Sequence, residues 1–180
     1  MPLPMTTRSM TVAEFQSLPE DCGPVYHELR NGEVVAVTRP RYRHFSIQRR
    51  LRRQLENLAT EGVTDTEFAF RPSPEHELSV ADVAYVAAAR ECRIDPDGYL
   101  EGAPDLVIEV LSPSNTASEI CAREKLSLEN GAKEFWVVDP DRRQIRVSAP
   151  DGRARTWVAG DEMPLALFGN AKLSVRSVFD

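Results

Sequence analysis

Long hydrophobic runs are missing from this sequence. No stretch of about 18 apolar residues occurs, so we expect no membrane-spanning helix. The opening residues, MPLPMTTRSM, lack the apolar stretch of a secretory signal, and we therefore expect a cytoplasmic protein. The cysteines are odd in number and far apart, at Cys22, Cys92 and Cys121. They fit neither a disulfide framework nor the spacing of a zinc site, which predicts reduced thiols.

Lysine is also scarce. The 22 basic residues are 19 arginines and only three lysines, Lys125, Lys133 and Lys172. The formal net charge of −6 speaks against a generic nucleic-acid coat protein. Residues 39–53 nevertheless contain seven arginines, the first of them Arg39, and no acid. That pattern indicates either a phosphate-binding face or a solvated helix face.

The composition that remains is typical of a globular protein. The chain has 180 residues, of which 42% are hydrophobic and 28% charged, enough apolar material for a core. No internal repeat or low-complexity tract divides it. We therefore predict a single domain over residues 1–180.

Capping and turn signals locate the first elements. Thr11 with Glu14, and Thr116 with Glu119, have the spacing of capping boxes, and each pair predicts the start of a helix. Asn31-Gly32 predicts a two-residue turn, because both positions of such a turn need positive φ. Strands are therefore expected near residues 25–30 and 33–37.

Hydrophobic periodicity predicts the remaining elements. Apolar side chains recur at helical spacing over residues 44–58, which predicts a long helix with an apolar stripe. Further strands are expected near residues 67–71, 80–87, 104–112, 134–139, 144–149 and 153–159. This order predicts an α/β (α+β) fold with a mixed β-sheet, flanking helices and extra β-hairpins.

Carboxylates inside apolar strands are the most informative residues. Asp82 lies in SVADVAYV and Glu109 in PDLVIEV. If the two strands form an antiparallel pair around the loop between them, residue 82 falls opposite residue 109, with side chains about 5 Å apart. Like charges at that distance need a cation, and oxygen ligands suit Mg²⁺ or Mn²⁺. The alternative is a pair of ordinary buried acids, each matched by an arginine. Asp105, four residues from Glu109, is expected to bind neighbouring backbone at the strand start.

Several motifs together resemble a known family. ELRNGEVV, the helix that contains His44, ADVAYV, PDLVIEVLSPSNT and GAKEFWVVDP are similar to the Uma-two family of restriction-endonuclease-like bacterial proteins, within the PD-(D/E)XK nuclease superfamily. The resemblance extends from about Thr11 to Val147. It implies a Mg²⁺-dependent phosphodiesterase in which Asp82 and Glu109 bind the metal. It also implies a role for Glu28, as a further ligand or an outer base; the alternative is a charge at the hairpin edge. His44 matches a histidine of the family and lies on the apolar stripe, so it points inward. There it either orients a ligand or the phosphate, or is a satisfied structural histidine.

The sequence departs from the family pattern at the cation. The lysine of the superfamily normally follows the strand acid by two positions, where this chain has Leu111. The family supplies the cation instead from the next helix, and a gapless count from Ser112 reaches Arg123. Lys125 lies two residues further on, about 200° around the helix, so the two cannot face the site equally. We expect Arg123 to point at the carboxylates and keep Lys125 as the second catalytic candidate.

These observations predict a metal-dependent DNA endonuclease that uses Mg²⁺ or Mn²⁺. The alternative is a catalytically impaired nuclease-fold protein that binds nucleic acid or a protein partner. A homodimer is expected because two copies related by a twofold axis can cut both strands of a duplex. The residues predicted to contact DNA are Arg41, Arg43, His44, Arg49, Arg50 and Arg53.

Overall fold

The structure, a computed structural model, describes residues 9–19, 25–38, 41–59, 61–73, 75–113 and 115–180. Cys22 and Arg39 lie outside the described residues. None of the helices in the described part of the chain has the length and apolar character needed to cross a lipid bilayer.

Helices occupy five segments of the described chain. They are α1 (Val12–Gln16), α2 (Tyr42–Leu58), α3 (Ala88–Glu91), α4 (Ala117–Glu129) and α5 (Arg176–Phe179). Both predicted capping boxes are present: Thr11 caps α1 with Glu14, and Thr116 caps α4 with Glu119. The third residue of each helix thus returns a side-chain bond to the cap, which satisfies N–H groups that the first turn leaves free.

A central mixed sheet organises the fold. The strands in chain order are β1 (Val25–Arg30), β2 (Glu33–Thr38), β3 (Val63–Arg71), β4 (Ser79–Val86), β5 (Leu100–Glu101), β6 (Leu106–Val110), β7 (Glu134–Asp139), β8 (Gln144–Ser148), β9 (Ala154–Val158), β10 (Glu162–Leu165) and β11 (Ala171–Ser174). Seven of them form one sheet in the order β5-β3-β4-β6-β7-β8-β9. The β6 and β7 strands are parallel, and α4 connects them; β4 and β6 are antiparallel.

Helices cover both faces of the sheet. On one face α2 packs its apolar stripe, which includes Ile47 and Leu51, against side chains such as Ile108. On the other face Ile120 of α4 joins Val107 and neighbouring residues in a second core cluster. The β6 strand is buried along its whole length because it lies between these two layers.

Two hairpins stand outside the central sheet. The β1–β2 hairpin turns at Asn31 and Gly32, both with positive φ, as the Asn-Gly signal predicts. An isolated bridge between Leu29 and Leu78 fastens this hairpin to the start of β4. The β10–β11 hairpin contributes Met163 and other residues to the core on the α2 side.

The predicted fold class is confirmed: a mixed sheet, flanking helices and extra hairpins are all present. Two expectations are corrected in extent. The β3 strand begins at Val63 rather than near residue 67, because its first half carries Thr and Asp and shows only weak apolar alternation. The elements after residue 159 were not predicted, since each is at most four residues long and short elements carry little periodic signal.

Candidate active site

Asp82 and Glu109 occupy adjacent strands at one level of the sheet. Val83 of β4 pairs with Ile108 of β6, so the next residues along the two strands are Asp82 and Glu109. This is the register predicted from the midpoint of the intervening loop. The Oδ2 atom of Asp82 accepts a hydrogen bond of 2.6 Å from the N–H of Val110. The aspartate therefore bridges the two strands where their ladder of paired residues ends.

The α2 helix holds the carboxylate of Asp82 from one side. His44 Nε2 lies 3.2 Å from Asp82 Oδ2 and 2.8 Å from the carbonyl oxygen of Val110. Gln48, one turn later on the helix, donates from Nε2 to Asp82 Oδ1 at 2.9 Å. Burial lowers the pKa of His44, but the hydrogen bond and the charge of Asp82 outweigh it, so the pKa lies above its usual value. The imidazole thus serves as a hydrogen-bond donor to the site.

A third carboxylate, that of Glu67, was missed by the sequence reasoning. The β3–β4 ladder skips Glu67 and Asp82, which lie between the pairs Thr66–Val83 and Phe68–Ala81. The φ of Glu67, 51°, is in the left-handed region within a strand. Gln48 Nε2 donates to Glu67 Oε1 at 2.6 Å and so joins it to Asp82. Burial raises the pKa of Glu67, the Gln48 bond opposes this, and the charge of Asp82 adds to the rise. A strained backbone of this kind is typical of functional positions.

Glu109, like Glu28, is deeply buried. It lies on the sheet face that α4 covers, and Arg123 Nη2 is 3.1 Å from its Oε1. Burial raises the pKa of Glu109 well above its usual range. Arg123 opposes that rise, whereas the negative charges of Asp82 and Glu28 add to it. The positive charge around this carboxyl group therefore does not offset the cost of ionising it in a buried position.

Arg123, and not Lys125, faces the carboxylates. The Arg123 side chain is 15% exposed; besides Glu109, it binds the carbonyl oxygen of Val80. Lys125 lies on the outer face of α4 with its side chain 75% exposed, and its Nζ is 3.9 Å from Glu129. Two residues of separation place these side chains on different sides of a helix, so only one can reach the sheet. Lys125 is thus not part of the assembled site.

Glu28 is enclosed between two arginines. Arg30 contacts Glu28 Oε2 through Nε at 3.0 Å and Nη2 at 2.9 Å, and Arg123 Nη2 lies 3.7 Å from Glu28 Oε1. The Nη1 atom of Arg30 also donates to Glu119 at 3.1 Å. Acids and arginines therefore alternate in one series of contacts, which runs from Glu119 through Arg30, Glu28 and Arg123 to Glu109. The sequence reasoning missed Arg30, although it lies two residues from Glu28 and so on the same face of β1.

The carboxylate oxygens of this site are of the chemical type that a hard divalent cation binds. Glu28 Oε1 and Glu109 Oε1 are buried and receive no hydrogen bond of good geometry, although both face Arg123. No group of three or more His, Cys, Asp or Glu residues among the described ones is spaced to enclose a metal. A cation would therefore rely on Asp82 and Glu109, with other oxygens from water or substrate. Mg²⁺ is commonly held by one or two carboxylates in this way.

The residues predicted to bind nucleic acid separate into two groups. Four of the arginines are exposed on α2 or at its start, namely Arg41, Arg43, Arg49 and Arg53. Arg50 is partly buried. His44 does not belong with them, because its ring turns inward to Asp82. Since residues 44 and 48 share one helix face, their spacing was the available signal for the role of Gln48.

Comparison with known proteins identifies the fold. The chain has the fold of a crystal structure described as a "putative nuclease belonging to DUF820 from Anabaena variabilis", with a TM-score of 0.79. The two are 22% identical, and the match covers 94% of this chain and 97% of the other. No curated protein sequence matches the chain.

The chain belongs to the Uma2 family, described as "Putative restriction endonuclease", which matches residues 12–176. The predicted membership is confirmed. The match extends past Val147, where the resemblance seen in the sequence ended, and includes the β10–β11 hairpin together with Lys172.

Proposed function

We propose that this protein is a metal-dependent DNA endonuclease that hydrolyses phosphodiester bonds. The observation that carries the proposal is that Asp82 and Glu109 directly follow the last paired residues of two adjacent strands, and that Arg123 contacts Glu109. Opposed carboxylates in a largely apolar sheet are costly unless they serve a cation or a charged transition state.

In the proposed site, Asp82 and Glu109 would hold Mg²⁺ or Mn²⁺. Such an ion, when bound, polarises the scissile phosphate and lowers the pKa of water. His44 and Gln48 fix the carboxylate of Asp82 from α2, so that its oxygens keep one orientation. This positioning is what these two helix residues contribute.

Arg123 supplies a fixed positive charge for the phosphate. Its guanidinium always stays protonated and cannot act as an acid or base, so it stabilises developing negative charge through directed N–H groups. Glu28 holds Arg123 in place from β1 and is a positioning residue rather than the proton acceptor, because Arg30 already occupies its other oxygen.

Glu67 is the carboxylate best suited to accept the proton of the attacking water. It is more exposed than Glu28 or Glu109, and its one side-chain hydrogen bond within the described chain comes from Gln48. Its pKa lies above the ordinary value because of burial, which makes the carboxylate a better proton acceptor than an ordinary glutamate.

Thermal denaturation with millimolar Mn²⁺ or Mg²⁺ tests the metal site. Binding to the folded state raises the melting temperature by mass action, and we expect that rise in the wild type but not in Asp82→Asn. Cleavage of duplex DNA should require the same ions and should be abolished in Asp82→Asn. The control is Asp65→Asn, which removes one charge from a half-exposed aspartate on the neighbouring strand. Equal behaviour of the two variants would contradict the proposal.

One observation favours the alternative, a catalytically impaired nuclease fold that binds nucleic acid or a protein partner. Arginine replaces the family lysine, and Arg123 is already bound by Glu109, Glu28 and Val80. Under that alternative the melting temperature is indifferent to Mn²⁺, while DNA still binds through the exposed arginines of α2.

We also propose that each chain forms a single domain over residues 1–180, and that the protein works as a homodimer in the cytoplasm. Twofold dimers are the commonest oligomers, and two copies present two sites to the two strands of a duplex. Size-exclusion chromatography with light scattering at micromolar protein should give about twice the chain mass of 20.2 kDa. A single-chain mass, with and without DNA, would exclude the dimer.

A further inference from the structure

A polar cavity lies on the opposite side of α2 from Asp82. It has a volume of about 270 Å³ and is enclosed by the start of α2, the β7–β8 turn and α5. The residues that matter for its chemistry are Tyr42, Arg43, Ser46, Arg50, Arg143 and Phe179. Three arginines from two separate parts of the chain therefore converge on one cavity, which favours an anionic ligand.

The arginines keep donors available for such a ligand. Arg43 is paired with Asp141 at 2.7 Å, and Arg143 with Asp180 at 2.6 Å. Arg50 meets the carbonyl of Phe179 at 3.5 Å, and no carboxylate pairs with it within the described residues. A guanidinium has five N–H donors, so the two paired arginines can bind their aspartates and an oxyanion together. The acids therefore orient two of the arginines without using up their donors.

The start of α2 adds two further features. The first bond within the helix runs from Phe45 N to the carbonyl of Arg41, so the N–H groups of residues 42–44 have no partner inside the helix. No acid lies in the first turn, and Arg41 gives no side-chain cap. Ser46 lines the cavity and is only 6% exposed, and its Oγ has no hydrogen-bond partner in the described part of the chain. A buried hydroxyl left unpaired beside three arginines indicates a missing ligand oxygen.

We propose that this cavity, termed the Ser46 pocket, binds one phosphate group of the nucleic-acid strand that the active site cleaves. The inference rests on the proposed function for its choice of a nucleic acid over free phosphate. Tyr42 at the rim is 80% exposed, and an aromatic ring beside arginines is the combination that contacts a base next to a bound phosphate. Arg43 lines the pocket, and the next residue, His44, contacts Asp82. The pocket and the active site therefore lie on opposite sides of the same helix, so the phosphate that the pocket holds belongs to a part of the strand away from the scissile bond.

Binding of a labelled DNA duplex without divalent metal tests the pocket. Arg143→Gln should weaken binding about fivefold and reduce the salt dependence by about one phosphate contact. The matched control is Arg142→Gln, which removes the neighbouring exposed arginine that pairs with Asp139 outside the pocket. Ser46→Ala should weaken binding about twofold without lowering the melting temperature, because its Oγ has no hydrogen-bond partner among the described residues. Equal effects of Arg143→Gln and Arg142→Gln would overturn the proposal.

Separate measurements distinguish the pocket from the proposed function. If Arg143→Gln weakens binding but the wild type cleaves no DNA, the pocket stands and the nuclease proposal fails. If the wild type cleaves DNA and Arg143→Gln binds it normally, the pocket proposal alone fails. Inorganic phosphate provides the last arm. A melting-temperature rise that Arg143→Gln removes, with DNA affinity unchanged, would show a free-phosphate site and overturn the nucleic-acid assignment.

Discussion

Two buried carboxylates four residues apart, one just before β6 and one inside it, have contrasting surroundings. Asp105 accepts a 2.9 Å hydrogen bond from the N–H of Ala87, with Lys133 Nζ at 2.9 Å and Arg90 Nη1 at 3.3 Å. Glu109 faces a single arginine and other negative charges. Both acids are shielded from water, so the difference lies in the donors that each receives.

The pKa values of the two carboxyls move in opposite directions. Burial raises the pKa of Asp105, but the Ala87 N–H and the two cations outweigh it, so the pKa is lowered. For Glu109 burial prevails and the pKa is raised. A buried acid whose charge is met by two cations and a backbone N–H stabilises a fold, whereas one with a single contacting arginine and further negative charges nearby costs stability and indicates a functional position.

The largest effect is expected for Asp105→Ala, which should lower the free energy of unfolding by about 3 kcal/mol. It leaves Arg90 and the N–H of Ala87 without their acceptor in a buried setting. Urea denaturation at neutral pH measures the change. Asp97→Ala in an exposed loop is the control and should cost less than about 0.5 kcal/mol. A cost for Asp105→Ala no larger than for the control would remove the distinction between the two acids.

The cation next to Glu109 gives the next prediction. Arg123→Ala should reduce DNA cleavage about 100-fold, because it removes a directed donor from the site, whereas Lys125→Ala should stay within about twofold. Arg123→Lys separates the two roles of this cation: a rise in cleavage would show that the site works better with the family residue. Loss of activity confined to Lys125→Ala would contradict the structure.

Glu109→Gln should change the free energy of unfolding by less than about 1 kcal/mol while abolishing cleavage. The neutral amide avoids the cost of burying a charge, which offsets the lost ion pair with Arg123. The matched variant Asp105→Asn should lose more stability by the same denaturation assay. If Glu109→Gln is the less stable of the two, Glu109 is a structural acid after all.

The smallest effect is a difference in pH dependence. The folded pKa of Asp105 is below its ordinary 3.8, so its stabilisation is fully present above that value and is lost as the pH falls through the folded pKa. The folded pKa of Glu109 is above its ordinary 4.5, so the wild type gains stability from this group as the pH falls towards 4.5. Asp105→Asn should therefore flatten the acid loss, and Glu109→Gln should remove the gain. Unfolding free energies across this pH range measure both, and parallel curves would contradict the assigned directions.

The parts of the fold that could be predicted are those with strong local rules. Capping boxes, the Asn31-Gly32 turn and the midpoint of the loop between β4 and β6 each depend on few residues, and the opposition of Asp82 and Glu109 followed from that midpoint. The binding of Asp105 to backbone was also expected, and the N–H of Ala87 provides it. The roles assigned to Asp82, Glu109, Arg123 and Glu28 stay predictions.

The rest of the site depends on contacts that no local pattern encodes. Glu67 shares the amide of Gln48 with Asp82, and its backbone is left-handed inside a strand, a conformation without a sequence signature for glutamate. Arg143 reaches the Ser46 pocket from a turn about 100 residues away from Arg43, which periodicity along one helix cannot show.

The left-handed backbone of Glu67 sets stability against activity when this position is mutated. Glycine adopts that conformation without the roughly 1 kcal/mol that a side chain pays there. A screen for thermal stability alone would therefore favour Glu67→Gly, and a screen for DNA cleavage would reject it. After laboratory evolution, the residue found at position 67 would therefore show whether the protein had been selected for stability or for cleavage.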